Sequence, residues 1–302
     1  MSGYLESQLI ILCISTIYAY GIFLPAASGQ LNLGAAGFIT LGAYASAWFN
    51  ASTGAELPIW ISVPLAMIFT GAIGFAISFP ILRTRGVYMV LATFAFAEVV
   101  AGVAINLEFV GGAAGFPVDG HTDVTVIVPA AILVVLFSFY VMSTRFGLAL
   151  RSIHDDESVA TLFGVNVRTA KVAAFTIGAM LMGLGGALYG HHYNYIEAQT
   201  FNVLLSIYIL LYVLMGGTQT AWGPLIGAAF FIIMPEVIRE IAESLGLTWL
   251  AEGRFILFGV FIVLLMVVRP EGVMTRTLQD RLGGGLFRRK PTGVPDQVAA
   301  GE

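Results

Sequence analysis

From residue 8 to residue 268 the chain is a succession of apolar runs, each close to the length that crosses a lipid bilayer. About 20 mostly apolar residues span the roughly 30 Å of hydrocarbon. Nine runs qualify: 8–25, 31–49, 58–79, 86–105, 125–142, 170–190, 201–215, 222–241 and 255–268. Charged residues are 11% of the 302 positions and hydrophobic ones 58%, whereas soluble domains carry about 25% charge. Many of the 35 glycines fall inside the runs, where small residues let helices approach closely. The expectation is an all-α polytopic integral membrane protein with about nine (eight to ten) transmembrane helices. The one cysteine, Cys13, excludes an intramolecular disulfide.

Two runs are irregular. Residues 31–49 are rich in Gly and Ala with Asn32 among them, and 201–215 is short and leads directly into Gly216 and Gly217. Either admits a broken or re-entrant helix, which is tolerated only where protein or a watery cavity covers the freed backbone groups. Charge decides the seventh run. Arg83 and Arg85 follow the third run, and Arg145, Arg151, Arg168 and Lys171 lie between the fifth and sixth. Arg269, Arg276, Arg281, Arg288, Arg289 and Lys290 lie beyond the ninth. These are twelve of the fourteen basic residues, and the positive-inside rule puts them all in the cytoplasm. Even numbers of spans separate the clusters only if 201–215 crosses, so the N-terminus is expected outside and the C-terminus inside.

The outer loops then hold Glu56, Glu108, Asp119, Asp123, Glu197, Glu240, Glu243 and Glu252 against Arg239 and Arg254. The opening MSGYLESQ has no Lys or Arg, so the positive stretch of a cleaved signal peptide is missing and the first run is expected to stay as a helix. Residues 1–270 read as one membrane domain. Residues 271–302, ending GGGLFRRKPTGVPDQVAAGE, read as a flexible cytoplasmic tail in which RRK is expected to be a topology signal rather than a contact for anionic lipid headgroups.

The largest departure from this apolar pattern is a loop at 143–171. Its core, RFGLALRSIHDDESVATLFGVNVRTAK, carries seven charged residues. Residues 153–163 have helical character, with Asp155, Asp156 and Glu157 near the start, where acidic groups complement the helix dipole. Gly164 stands at the end, where a left-handed residue is usual. Val159, Ala160, Leu162 and Phe163 supply an apolar surface. A short amphipathic helix on the cytoplasmic surface follows, and its three acids argue against a helix that simply rests on anionic lipid.

The order R-x-x-G-x-x-L-R-x-I-x-x-[DE]-x-x-A-x-x-x-G-[IV]-N-V-x-x-x-K is followed closely here, by Gly147, Leu150, Arg151, Ile153, Asp156 or Glu157, Ala160, Gly164, Val165, Asn166, Val167 and Lys171. It resembles the cytoplasmic coupling loop of bacterial branched-chain amino acid ABC transporter permeases. GQLNLGAAGFITLGAYASA (29–47), LRTRGVYMVLATFAFAEVV (82–100), GGTQTAWGPLIGA (216–228) and RPEGV (269–273) are similar to other segments of that family, in the same order. The second of these is typical of one of the two permease subtypes that pair as a heterodimer. Gln219 departs from the pattern, standing where the family commonly has Gly, which weakens the inference of a tight turn there.

The resemblance implies a bacterial inner-membrane, multi-pass subunit that imports leucine, isoleucine and valine, with urea, short amides or other amino acids as alternatives. It implies a second related permease, two cytoplasmic ATP-binding subunits and an extracytoplasmic substrate-binding protein as partners, and no nucleic acid. No cofactor is expected in the chain itself. No G-x-x-x-x-G-K-[ST] occurs in the sequence, so ATP is expected to be used by partner subunits. The residues expected to couple to the ATPase are Arg151, His154, Asp155, Asp156, Glu157, Ala160 and Gly164.

For the translocation path the candidates are Asn32, Tyr88, Thr93, Glu98, Gly216 and Gly217. Glu98 is the one clear ionisable residue inside a run, and such groups normally face protein or water. It lines the path or meets an ammonium group of the solute, or else it makes a structural hydrogen bond to a neighbouring helix or sits near the outer interface. Tyr88 and Thr93 do not share a helix face, and Thr93 and Glu98 align only loosely.

His191 and His192 with Glu197 fit no standard zinc spacing and are expected in an exposed outer loop. His121 beside Asp119 and Asp123 is likewise read as loop. The glycines of EFVGGAAGFPVDG (108–120) read as a loop that caps or gates the outer mouth. Two rivals stand beside the importer: a secondary transporter, which should carry more intramembrane ionisable residues, and a passive channel, which leaves the charged loop without a purpose.

Overall fold

The computed structural model describes residues 3–52, 57–244, 253–269 and 272–274. Among these residues each of the nine apolar runs holds one helix, and two shorter helices occupy the charged loop. In chain order the helices are α1 (Gly3–Ala26), α2 (Ala35–Ser52), α3 (Ile59–Ile81), α4 (Val87–Asn106), α5 (Val124–Ser143), α6 (Arg145–Asp155), α7 (Glu157–Leu162), α8 (Val167–Tyr193), α9 (Val203–Gly216), α10 (Gly223–Ser244) and α11 (Arg254–Val268). By length and composition α1, α3, α4, α5 and α8 suffice to cross a membrane. At 14 residues, α9 rises only about 21 Å. The tail beyond residue 274, Glu56 and Glu252 lie outside the described residues.

The centre of the bundle is α8, against which α1, α2 and α3 all lie. Its contact with α2 is a backbone-to-backbone crossing: a Cβ on Gly42 would stand 2.2 Å from the Gly183 carbonyl oxygen, and one on Gly186 2.2 Å from that of Ile39. Nothing larger than glycine fits there. Phe38 of α2 fills the adjoining space, with ring centroids 4.7 Å from Phe96 of α4 and 5.6 Å from Phe175 of α8. By contrast α4 and α5 leave most of their apolar surface uncovered.

The predicted run 31–49 is helical only from Ala35; residues 30–34 are not helix. The cause is local. Asn32 Oδ1 accepts the Gly34 N–H at 2.7 Å, a side-chain bond that competes with helical pairing. The helix therefore begins inside the protein, among buried residues, rather than at its surface.

One end of the bundle collects the basic groups. Arg83 and Arg85, from the α3–α4 turn, share a cavity with Arg168 and Lys171 of the first turns of α8. The segment after α11 returns to the end of α9, where the Val273 N–H donates to the Met215 carbonyl at 2.7 Å and that of Met274 to Gly216 at 3.1 Å. Thus the basic clusters after the third and fifth runs lie together, and the chain after the ninth run meets the end of the seventh. At the opposite end β1 (Phe116–Pro117) pairs antiparallel with β2 (Tyr195–Ile196), and the Tyr195 hydroxyl bonds the Ala114 carbonyl. The 108–120 segment is therefore tied to the connection between α8 and α9.

Candidate functional site

The loop 143–171 is a built structure. α6 turns one face to the bundle, burying Gly147, Leu150 and Ile153, while Arg151 on the same helix is half-buried. The single helix expected over 153–163 is in fact two. Asp156 breaks it: its backbone is extended, and its carboxylate accepts the N–H groups of Ser158 at 2.8 Å and Val159 at 3.1 Å. These are the orphan donors at a helix start, and an aspartate at this position satisfies them. Of the three acids only Asp156 and Glu157 serve the start of α7; Asp155 is the last residue of α6 and exposed. Gly164 does end α7, at φ +81. The Gly164 N–H reaches the Thr161 carbonyl at 3.0 Å and that of Val165 the Ala160 carbonyl at 3.1 Å, the pattern that a left-handed C-terminal residue permits.

Two side-chain contacts join this unit to distant helices. Glu157 pairs with Lys171 of α8 at 2.8 Å. His154 Nδ1 lies 3.2 Å from Gln219 Nε2, in the turn between α9 and α10. Ala160 is buried against the bundle, whereas Leu162 and Phe163 are each 85% exposed. Between α6 and α7 lies a cavity of about 400 Å³, walled by Leu148, Val159 and Phe163 and edged by Arg145, Asp155 and Asp156. The unit thus presents an apolar tip framed by charge, on helices tied to α8 and to the α9–α10 turn.

The second polar cluster surrounds the start of α2. Asn32, Thr93 and Ser206 are each 0% exposed. The Leu33 N–H donates to Thr93 Oγ1 at 3.0 Å and the Ala36 N–H to Ser206 Oγ at 2.8 Å. The free donors of a buried helix start are thus met by hydroxyls of α4 and α9. Asn32 Nδ2 has no hydrogen-bond partner. The arrangement resembles the discontinuous helices of transporters, whose N-terminal ends face polar cargo near the middle of the membrane.

The remaining path candidates do not join it. Tyr88 is 74% exposed at the start of α4, and Glu98 is exposed on a face from which Thr93 and Ala97 point away. Gly216 and Gly217 are buried and serve a turn: Gly217 has φ +112, and a Cβ on Gly216 would meet the Gly223 carbonyl oxygen at 1.9 Å. Because Gly217 supplies the unusual backbone, Gln219 needs none, and its side chain is available to His154.

His191 is a correction. It is buried, not in an exposed loop, because α8 continues to Tyr193 and the 118–122 segment folds over its end. Its Nε2 lies 2.8 Å from Ser46 Oγ and its Nδ1 3.1 Å from the Asp119 carbonyl. His192 contacts the Thr122 carbonyl at 2.9 Å. His121 bridges Asn194 at 2.8 Å and Asp123 at 3.1 Å in an exposed setting, as expected for a loop. Sequence reasoning passed over Ser206 and the use of Gln219. The first had a signal, a lone hydroxyl in an apolar run that needs a partner.

The sequence has recognisable relatives. The chain is similar to the branched-chain amino acid permease LivM of Escherichia coli, 27% identical over 286 residues covering 83% of this chain and 65% of that protein. It spans about two thirds of that relative. A probable LivM of Methanocaldococcus jannaschii is 25% identical over 263 residues, 78% of this chain and 75% of the relative. A probable LivH permease of the same organism is 23% identical over 184 residues, 59% and 58% of the two chains. No solved structure matches. The family described as the permease component of the branched-chain amino acid transport system matches residues 4–268; the chain, a multi-pass helical membrane protein, belongs to that family.

Proposed function

We propose that this chain is one of two permeases in an ABC importer for leucine, isoleucine and valine in a bacterial inner membrane. The observation that carries the reading is the α6–α7 unit, with its exposed Leu162 and Phe163 and its two anchors at Lys171 and Gln219. A passive channel has no use for such a unit. In this reading its apolar tip seats in a cleft of a cytoplasmic ATP-binding subunit, a second such subunit serves the related permease, and no ATP is bound by the chain itself. The basic end is then cytoplasmic, the C-terminus inside and the N-terminus outside. An extracytoplasmic binding protein delivers the amino acid to the acidic opposite end.

Closure of the ATP-binding pair displaces α6–α7. Glu157 passes this to the first turns of α8 and His154 passes it to the α9–α10 turn. Ser206 on α9 holds the start of α2, so the movement reaches Asn32 and Thr93. The amino acid crosses between the two permeases, past that polar junction. Glu98 on the uncovered face of α4 is suited to contact with the second permease, since a lipid-facing carboxylate costs about 2.5–3.5 kcal/mol on insertion scales.

Pull-down of the tagged chain and of its Phe163→Glu variant from native membranes tests the reading. The parent is expected to recover two ATP-binding subunits and a second permease, and the variant to lose the former. Recovery of the chain alone, active in transport, contradicts it.

A further inference from the structure

At the basic end, α3, α4, α8 and the α1–α2 connection line a cavity of about 560 Å³ beside the Glu157–Lys171 pair. Arg83 and Arg85 enter it from the α3–α4 turn and Arg168 and Lys171 from α8. Glu157 is the one acid among its lining residues, and it is paired with Lys171 at 2.8 Å. Four cations against one carboxylate leave a net positive cavity, and like charges held together repel.

The backbone adds to this charge. α8 places Arg168 and Lys171 at its N-terminal end, where cations oppose the helix dipole, and its first turn has no acidic residue. α4 begins at Gly86, which also lines the cavity, with no side-chain cap and no acid in its first turn. Two helix starts and four cations therefore converge against the single carboxylate of Glu157. Such starts are ready-made for anions. A topology signal needs positive charge on one side of the membrane; it does not need that charge gathered around a hollow.

Gln30 supplies an independent observation. It is 2% exposed and lines the same cavity. Its Nε2 is occupied by Ser28 Oγ at 2.7 Å and the Lys171 carbonyl at 3.3 Å, and its Oε1 has no partner. A buried acceptor left unmet is costly, and it calls for a hydroxyl or N–H donor from an occupant. Phe79 and Met89 give the cavity an apolar wall, with the Arg168 guanidinium 5.7 Å from the Phe79 ring centroid.

We propose that this cavity binds a phosphate-bearing anion with a free hydroxyl, the chemistry of a glycerol-phosphate group. The phosphate lies among Arg83, Arg85, Arg168 and the two helix starts, and the hydroxyl donates to Gln30. An occupant shares Lys171 with Glu157, so it touches the anchor of α7. The source is an anionic lipid headgroup or a soluble glycerol phosphate, and the proposal does not depend on which solute is carried.

The full chain, purified in mild detergent with whatever subunits accompany it, is stripped of lipid. It is then titrated with phosphatidylglycerol, phosphatidylcholine and sn-glycerol 3-phosphate, with bound molecules counted by native mass spectrometry. Phosphatidylglycerol is expected to bind about tenfold or more tighter than phosphatidylcholine. Arg83→Gln with Arg168→Gln removes that preference, while Arg239→Gln, at a paired arginine on another helix, keeps it. Binding of glycerol 3-phosphate with no preference between the lipids, lost in the same double variant, assigns the site to the soluble anion. Titration of the unaltered chain in low and high NaCl separates loss of the site from loss of fold: affinity is expected to fall steeply with salt. Salt-independent binding, or a double variant that retains its ligand, overturns the proposal.

Discussion

Gln219 Nε2 donates to His154 Nδ1 across 3.2 Å, joining the turn between α9 and α10 to the last turn of α6. The two residues are 65 positions apart. With the imidazole proton on Nε2, this bond acts beside the Glu157–Lys171 pair as a side-chain anchor of the α6–α7 unit. Removal of the first should uncouple the loop from α9 without unfolding the bundle. A His154→Leu and Gln219→Leu double-mutant cycle is expected to give a coupling of about 1 kcal/mol, read as transport per ATP hydrolysed. Strict additivity of the two substitutions contradicts the tie.

Leu162→Glu and Phe163→Glu alter side chains that are almost fully exposed. Thermal unfolding in detergent should shift by no more than about 0.5 kcal/mol, the usual range for surface changes. Recovery of the ATP-binding subunits should nevertheless collapse. Unchanged recovery would place the tip in the lipid surface or in water.

Asp156 is a cap as well as an acid. Replacement by Ala should cost α7 about 1 kcal/mol, and hydrogen exchange at Ser158 and Val159 should rise about fivefold, while Gly183 and its neighbours in α8 remain protected. Equal exchange in variant and parent would show that the cap does not hold the helix.

Two glycines in the same chain should answer alanine in opposite ways. Gly186→Ala forces a methyl to within 2.2 Å of the Ile39 carbonyl oxygen, and overpacking of this kind costs about 1–3 kcal/mol. Gly102→Ala in α4 meets nothing within 4 Å and should gain up to about 1 kcal/mol in helix propensity. Thermal midpoints of the two purified variants, in one detergent, check both signs together.

Glu98 should be covered in the assembled transporter. In a Cys13→Ser background, Glu98→Cys carrying a photoactivatable benzophenone is expected to cross-link to the second permease. Ready labelling by a membrane-permeant maleimide, with no cross-linked product, would place this face of α4 in lipid.

Much of the architecture was legible because the bilayer leaves few options. A run such as 125–142 has to be a helix, and α5 occupies Val124–Ser143. The end of α7 was equally readable, since Gly164 marks it. Asp156 misled because its carboxylate suits either the first turn of a longer helix or a cap, and only the backbone decides between them. Asn32 and Thr93 could be singled out as polar groups in apolar surroundings, but their partners could not. Thr93 meets Leu33 and Ser206 meets Ala36 through helix registers set by close approach at glycines such as Gly42 and Gly183, which composition does not encode. Glu98 and Tyr88 shared the same polar signal and yet lie on the uncovered side of α4, because a single chain carries no mark of which helix faces are left for a partner. His191 looked like loop because its run seemed to end at residue 190, and the bonds that bury it come from Ser46 and Asp119.

In the proposed importer the α6–α7 unit couples this chain to ATP hydrolysed elsewhere. The most direct test of that coupling is leucine uptake into proteoliposomes that hold the complex purified with this chain, with and without ATP on the side bearing the loop. Uptake that requires both ATP and the co-purified subunits, and that is lost in the Phe163→Glu variant, is the expected result. Uptake by this chain alone, or equal uptake without ATP, would contradict it.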